Sequence, residues 1–347
     1  MSYSIMRQTV IESKTTKYIH IMKRFYKVLM ALIVAALSCQ NLYAYDFVVN
    51  NIYYNKTSGN AVEVTHNGTN YPYSGNVKIP SGVTYGAVQY IVTGIGSGAF
   101  SYNGGNLLSI TIPNTIKYID VGAFYGCKKL KSVYVSDISW IYNCTFSGES
   151  SIPTCNGADL YINGVLLESL TLPSTKITDY AFCGCNSLKS VPIPSGGTII
   201  GKDAFKGCSN LKSVYVSSLS NLDNCSFANE NSHPSCNGAD LYINGKKLQT
   251  LTLEGSIFTN SKFFYGCTSL ISLTIPSTML ELGANTFVGC SNLRKIICLP
   301  NTVPEGFGDA FSAVGDRMTY VGNHNSDDSA SKLGGTLNIY TNLSSMF

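Results

Sequence analysis

The chain has 347 residues, 44% of them hydrophobic and 13% charged, with a formal net charge of +4. That apolar content excludes a disordered chain, and the low charge leaves the surface to Tyr, Gly, Ser, Thr and Asn, a mixture suited to turn-rich β structure. Twelve Cys are too few for a disulfide-held miniprotein and unusual for a reducing cytosol.

The first element in chain order is a leader. Residues 1–45 hold six bases (Arg7, Lys14, Lys17, Lys23, Arg24, Lys27) against Glu12. The other 18 bases and 19 acids leave a net charge of −1, which is no basic footprint for nucleic acid. The bases abut ten apolar residues, Val28–Leu37, followed by Ser38-Cys39-Gln40-Asn41-Leu42-Tyr43-Ala44. This pattern reads as a secretory signal within 1–44, with Met22 as the start and 1–21 an upstream extension. Ten helical residues rise about 15 Å against roughly 30 Å of hydrocarbon, so no transmembrane span is expected. Cleavage after Ala44 is favoured. The competing reading is a lipobox at Ala36-Leu37-Ser38-Cys39, with a lipid anchor on Cys39.

A repeat occupies the centre. Phe100, Phe124, Phe182, Phe205, Phe264, Phe287 and Phe311 each follow an Ile/Gly cluster, and a Leu-x-x-apolar-x-apolar stretch begins six residues past most of them. Such stretches start at Leu107, Leu130, Leu167, Leu188, Leu211, Leu248, Leu270 and Leu293, spaced by 21–23 residues apart from two spacings of 37. Period-2 alternation makes each a short strand with Ile, Leu and Val inward. A unit this short buries its apolar face only by stacking on neighbours, so a solenoid is expected. Strands of eight units at about 4.8 Å spacing would make a sheet roughly 34 Å long.

Ile119-Asp-Val-Gly-Ala-Phe-Tyr-Gly-Cys-Lys-Lys-Leu-Lys-Ser-Val133 and Ile200-Gly-Lys-Asp-Ala-Phe-Lys-Gly-Cys-Ser-Asn-Leu-Lys-Ser-Val214 resemble BspA-type leucine-rich repeats, over residues 94 to 311. The resemblance implies a β-rich leucine-rich-repeat solenoid with short strands, an irregular or short-helical convex side and an N-terminal β cap. Tyr45-Asp-Phe-Val-Val-Asn-Asn-Ile-Tyr-Tyr54 resembles the start of that cap. The expected division is 1–44 extension and signal, 45–93 cap, 94–315 solenoid and 316–347 degenerate cap or tail. Hairpin insertions are expected at about 136–166 and 217–247. The family further implies secretion or display on the outer surface of a Gram-negative bacterium, adhesin roles in some members, and no catalysis.

The cysteines divide by register. Cys127, Cys185, Cys208, Cys267 and Cys290 each lie three residues after a repeat Phe. That recurrence marks a core ladder, because a metal needs ligands converging on one point. Cys144/Cys155 and Cys225/Cys236 are Cys-x10-Cys pairs in the long units. In an oxidising compartment they are disulfide candidates, within each copy or between copies. Cys183 and Cys298 have no repeat counterpart. After each second Cys comes Asn-Gly-Ala-Asp-Leu-Tyr-Ile-Asn-Gly, at 156–164 and 237–245. Alternation around Asn-Gly signals a hairpin, and the two hairpins should project from one side.

Chemistry is sparse. Gly94-Ile-Gly96-Ser-Gly98-Ala99 satisfies a loose dinucleotide pattern, but it fills the Ile-Gly-x-x-Ala-Phe slot of the repeat. His66, His233 and His324 are scattered over cap, loop and tail, and Asp327-Asp328 lie in a polar tail. Asp159 and Asp240 recur in the hairpins as turn-supporting residues. No cofactor, metal site or enzyme activity is expected. The outward strand positions are Thr111, Tyr134, Thr171, Pro192, Tyr215, Thr252, Thr274 and Ile297. They form a nearly uncharged face, whose candidate binding residues are Tyr134, Tyr215, Thr171, Thr252, Thr274 and an exposed Ile297. Two functions compete: an adhesin-like binder of host or bacterial surface proteins and glycoproteins, and a scaffold component of the cell envelope without a soluble ligand.

Overall fold

Alternating apolar residues set the register of a front wall of parallel strands. The computed structural model describes residues 22–30, 45–68, 73–101, 106–258, 264–300, 304–311, 319–322 and 338–340. The upstream extension 1–21, the apolar run 31–37, Cys39, Ala44, His324 and Asp327-Asp328 lie outside them. Residues 22–30 form an exposed helix. Among the described residues no helix is long and apolar enough to cross a membrane.

The front wall has three parallel sheets. In the first, Gly75–Lys78, Leu107–Ile112, Ser132–Val135 and Asp159–Ile162 pair in order, with Val77, Ile110, Val133 and Leu160 in one row. In the second, Ser190–Pro192, Ser213–Val216 and Asp240–Ile243 align Val191, Val214 and Leu241. In the third, Thr250–Thr252, Ser272–Ile275 and Lys295–Cys298 align Leu251, Leu273 and Ile296, and Thr319–Gly322 and Asn338–Tyr340 continue it. Apart from Val77, which is partly buried, these inward residues up to Ile296 are buried.

Two expectations change here. Asp159–Ile162 and Asp240–Ile243 were expected to project as hairpin arms, yet each is a strand of the front wall. Their Asp-Leu-Tyr-Ile alternation carries the same inward Leu as the repeat strands. Nor is the front wall one continuous sheet. The return arms Val165–Leu166 and Lys246–Lys247 pair antiparallel on the free edges of Asp159–Ile162 and Asp240–Ile243, so the first two ladders each end at a hairpin. Leu170 then rejoins the next sheet through its N–H to the Ser190 carbonyl.

The back wall is a second ladder, of two-residue strands after the end of Val88–Ile95. Ile95, Ile119 and Phe146 align, as do Ile177, Ile200 and Phe227. Within the coils the α-helices are few and short: Ser139–Asn143, Leu219–Asp223 and Phe307–Ala310. Between the walls the repeat phenylalanines stack from coil to coil, Phe100 on Phe124, Phe182 on Phe205, and Phe264 on Phe287 on Phe311, at 5.0–5.7 Å between centroids. The stack is interrupted at each long coil, and Tyr142 meets Phe182 edge-on at the first interruption.

The turn into each ladder Cys needs Gly. Gly184 has φ of +69°, and a Cβ there would lie 2.4 Å from the Thr154 carbonyl oxygen of the preceding coil. Both the left-handed backbone and the close approach exclude a side chain. The antiparallel strands Phe47–Val49, Ile52–Lys56 and Ala61–Thr65 precede the coils, and Ala61–Thr65 pairs in parallel with Val88–Ile95. Tyr73 binds this region together: its hydroxyl donates to the Thr65 carbonyl and accepts the Tyr53 N–H. Burial holds the Tyr73 phenol well above its ordinary range.

Candidate binding surface

Because strand partners are in register, outward side chains form rows across the front wall. Thr111, Tyr134 and Tyr161 share one row, Pro192, Tyr215 and Tyr242 a second, and Thr252, Thr274 and Ile297 a third. The Tyr134 and Tyr161 rings stack with centroids 4.8 Å apart, and Tyr215 and Tyr242 repeat the arrangement at 4.9 Å. Each long unit thus carries a pre-ordered tyrosine pair. Thr171 and Thr252 are exposed, while Tyr134, Thr274 and Ile297 are half-buried. Ile297 falls short of full exposure, in an inner strand that has paired strands on both sides.

Tyr161 and Tyr242 were not among the sequence candidates. Their signal was present in the Asp-Leu-Tyr-Ile alternation, which puts Tyr opposite Leu on the strand.

The hairpins turn at Asn163-Gly164 and Asn244-Gly245, where all φ values lie between 47° and 78°. Such a turn needs two successive left-handed residues, which Asn-Gly adopts readily. The copies differ at the return arm. Lys247 pairs with Asp240 at 2.7 Å, and that carboxylate raises the ammonium above its ordinary range. The first copy has Leu166 in that place, and among the described residues Asp159 has no basic partner.

The ladder cysteines are fully buried. Cys127, Cys208 and Cys290 donate their thiols to the carbonyls of Phe100, Phe182 and Phe264 in the preceding coil. Cys185 and Cys267 instead contact the hydroxyls of Ser187 and Ser269, which accept the N–H groups of Leu160 and Leu241.

All eleven described cysteines are free thiols, so the expected Cys144–Cys155 and Cys225–Cys236 bridges are not formed in this structure. The partners occupy different registers. Cys144 and Cys225 are buried at the entry to back-wall strands, Thr145–Phe146 and Ser226–Phe227. Cys155 and Cys236 enter the ladder, near enough to Cys127 and Cys208 to raise those thiols further. Burial pushes Cys127, Cys144, Cys183 and Cys236 up to about 12 and Cys155 to about 11. None has the low pKa of a nucleophile or ligand thiolate.

Among the described residues no group of three or more His, Cys, Asp or Glu is placed to hold a metal. His66 accepts the Gly68 N–H through Nδ1. His233, buried in the second long unit, accepts the Ser235 N–H at 3.1 Å. The Gly94-x-Gly96 motif has a packing cause. The Tyr118 ring lies where a Gly94 Cβ would be, the Glu63 carboxylate abuts Gly96, and the Tyr118 hydroxyl donates to Glu63.

The profile of the BspA type leucine rich repeat region matches in six copies, over residues 157–239 and 238–319. No curated protein matches the chain. A leucine rich cell surface protein from Faecalibacterium prausnitzii A2-165 is similar with a TM-score of 0.48 and 18% identity, over 79% of this chain and 88% of that one. A leucine-rich repeat protein from Bacteroides ovatus ATCC 8483 has a TM-score of 0.44 and 24% identity, over 80% of this chain and 79% of that one. Over residues 157–319 the chain is thus built of BspA-type leucine-rich repeats.

Proposed function

We propose that this chain is an extracellular, non-catalytic, adhesin-like binding protein that recognises proteins or glycoproteins through the front wall and hairpins. The observation that carries the reading is the duplicated tyrosine pair, Tyr134 on Tyr161 and Tyr215 on Tyr242. Stacked tyrosines are large amphipathic contacts already held in place, so docking a partner orders few further rotamers, and Tyr is enriched where interfaces concentrate their energy. In this reading residues 1–44 direct export to the outer surface or medium of a Gram-negative cell, 45–93 cap the solenoid, 94–315 form it and 316–347 close it. Binding of the purified chain to an array of host and bacterial surface glycoproteins tests the proposal. A saturable partner is expected. Absence of any, with co-purification of envelope components instead, would favour the scaffold role.

A further inference from the structure

A cleft of about 290 Å³ opens beside the second hairpin, lined in part by Lys247, Gln249, Thr268, Ile271, Asn292 and Arg294. The first long unit shows what its chemistry lacks. There the Lys189 N–H bonds the Glu168 carbonyl and the Lys212 N–H bonds the Lys189 carbonyl. Ile271 to Gln249 and Arg294 to Ile271 repeat those bonds in the second unit, so Glu168, Lys189 and Lys212 are the counterparts of Gln249, Ile271 and Arg294. In the first unit the Glu168 carboxylate is paired with Lys189 at 2.5 Å. In the second the carboxylate has become a neutral amide and its lysine an isoleucine. A base remains at Arg294, and Lys247 is added where the first unit has Leu166.

Asp240 neutralises Lys247, whereas Arg294 has no acidic partner among the described residues. The cleft is therefore short of one negative charge. Arg294 is held in place by Nη1, which donates to the Ser291 and Leu293 carbonyls. Its other N–H groups make no bond to a described residue, and a guanidinium fork matches a carboxylate. Asn292 spends its Nδ2 on the Thr268 carbonyl, which leaves its amide oxygen to accept from a hydroxyl. Gln249 adds a second amide, and exposed Ile271 an apolar patch suited to the C–H face of a sugar ring. The volume lies near the lower end, about 300 Å³, of small-molecule sites.

We propose that this cleft binds the carboxylate of an acidic sugar, a sialic or uronic acid residue of a glycan, with Arg294 as its charged partner. The site deepens the binding reading above and rests on it for its biological sense.

Titration of the full chain with methyl α-N-acetylneuraminoside and with trigalacturonate tests it, with lactose and N-acetyl-glutamate amide as controls. One acidic sugar should bind, with lactose and the glutamate amide at least about tenfold weaker. Arg294→Gln should lower that affinity by about tenfold or more, the usual effect of losing a charge-assisted hydrogen bond. Gln249→Glu should do the same by supplying internally the carboxylate that Glu168 supplies in the other unit. Glu168→Gln should change nothing. All three positions are exposed, and circular dichroism checks the fold. The inference is overturned if neither acidic sugar binds, if lactose binds equally, or if Arg294→Gln and Gln249→Glu leave affinity unchanged. Equal or tighter binding of the glutamate amide would assign the cleft to an acidic protein segment instead. Tyr134→Ala/Tyr215→Ala leaves the cleft intact, so failure here and failure of the tyrosine face are read separately.

Discussion

The Cys127 thiol donates to the carbonyl of Phe100, 3.1 Å away in the preceding coil. Phe124, Phe182, Phe205 and Phe264 likewise present a carbonyl to the next turn. Cys208 donates to that of Phe182 and Cys290 to that of Phe264. In the long coils an amide takes over, with Asn156 donating to Phe124 at 3.2 Å and Asn237 to Phe205 at 2.7 Å. The cysteine of the repeat is thus a small donor that fits the core.

Removing the donor takes one hydrogen bond from the carbonyl without orphaning it where a backbone N–H also reaches it, as that of Cys208 reaches Phe205. Cys127→Ala and Asn237→Ala should each destabilise the solenoid by about 0.5–1.5 kcal/mol, the net worth of one hydrogen bond, measured by urea denaturation. Cys127→Ser, which keeps a donor, should cost less than Cys127→Ala. Equal losses for the two would mean that volume alone matters at this position.

Burial holds the thiols protonated, which fixes their response to pH. Cys155, raised to about 11, would be about one part in a thousand thiolate at pH 8, so native protein should react slowly with a thiol reagent. In urea all eleven described thiols should react. A count lower by four would restore the two bridges. Folded thiols keep protons that unfolded ones release above about pH 8.5, so stability is full below that value and falls as pH rises towards the folded values. The melting temperature should therefore drop between pH 8 and pH 10.5. An unchanged one would contradict the burial.

Two glycines separate backbone strain from collision. Gly122 and Gly184 have nearly equal φ, +70° and +69°, but a Cβ at Gly122 meets nothing within 4 Å. Gly122→Ala should cost only the left-handed penalty of about 1–2 kcal/mol. Gly184→Ala should cost clearly more, because its Cβ would strike the Thr154 carbonyl oxygen. Comparing the two denaturation midpoints checks this, and similar midpoints would deny the close approach.

The coil itself was legible because Leu130-x-x-Val133 and its relatives recur at a near-constant spacing, and inward positions cannot drift without losing the core. Leu160 escaped because it follows Val133 by 27 residues rather than 23, and the Asn-Gly turn beside it drew attention to a hairpin. Tyr161 and Tyr242 were lost with it. Cys155 misled for a related reason. Its ten-residue separation from Cys144 suggests a local clip, whereas its place beside Cys127 depends on how the long coil folds back, which spacing alone does not encode.

The tyrosine face is the central claim. Each stacked pair contributes about 0.5–1.5 kcal/mol beyond its buried area, so Tyr134→Ala/Tyr215→Ala should remain folded with a slightly lower melting temperature. The most direct measurement is the dissociation constant of that double variant, against the parent chain, for a surface glycoprotein captured on the array. Loss of two interface tyrosines at about 1–2 kcal/mol each predicts affinity weakened roughly thirtyfold or more. A folded double variant that binds as tightly as the parent would contradict the account.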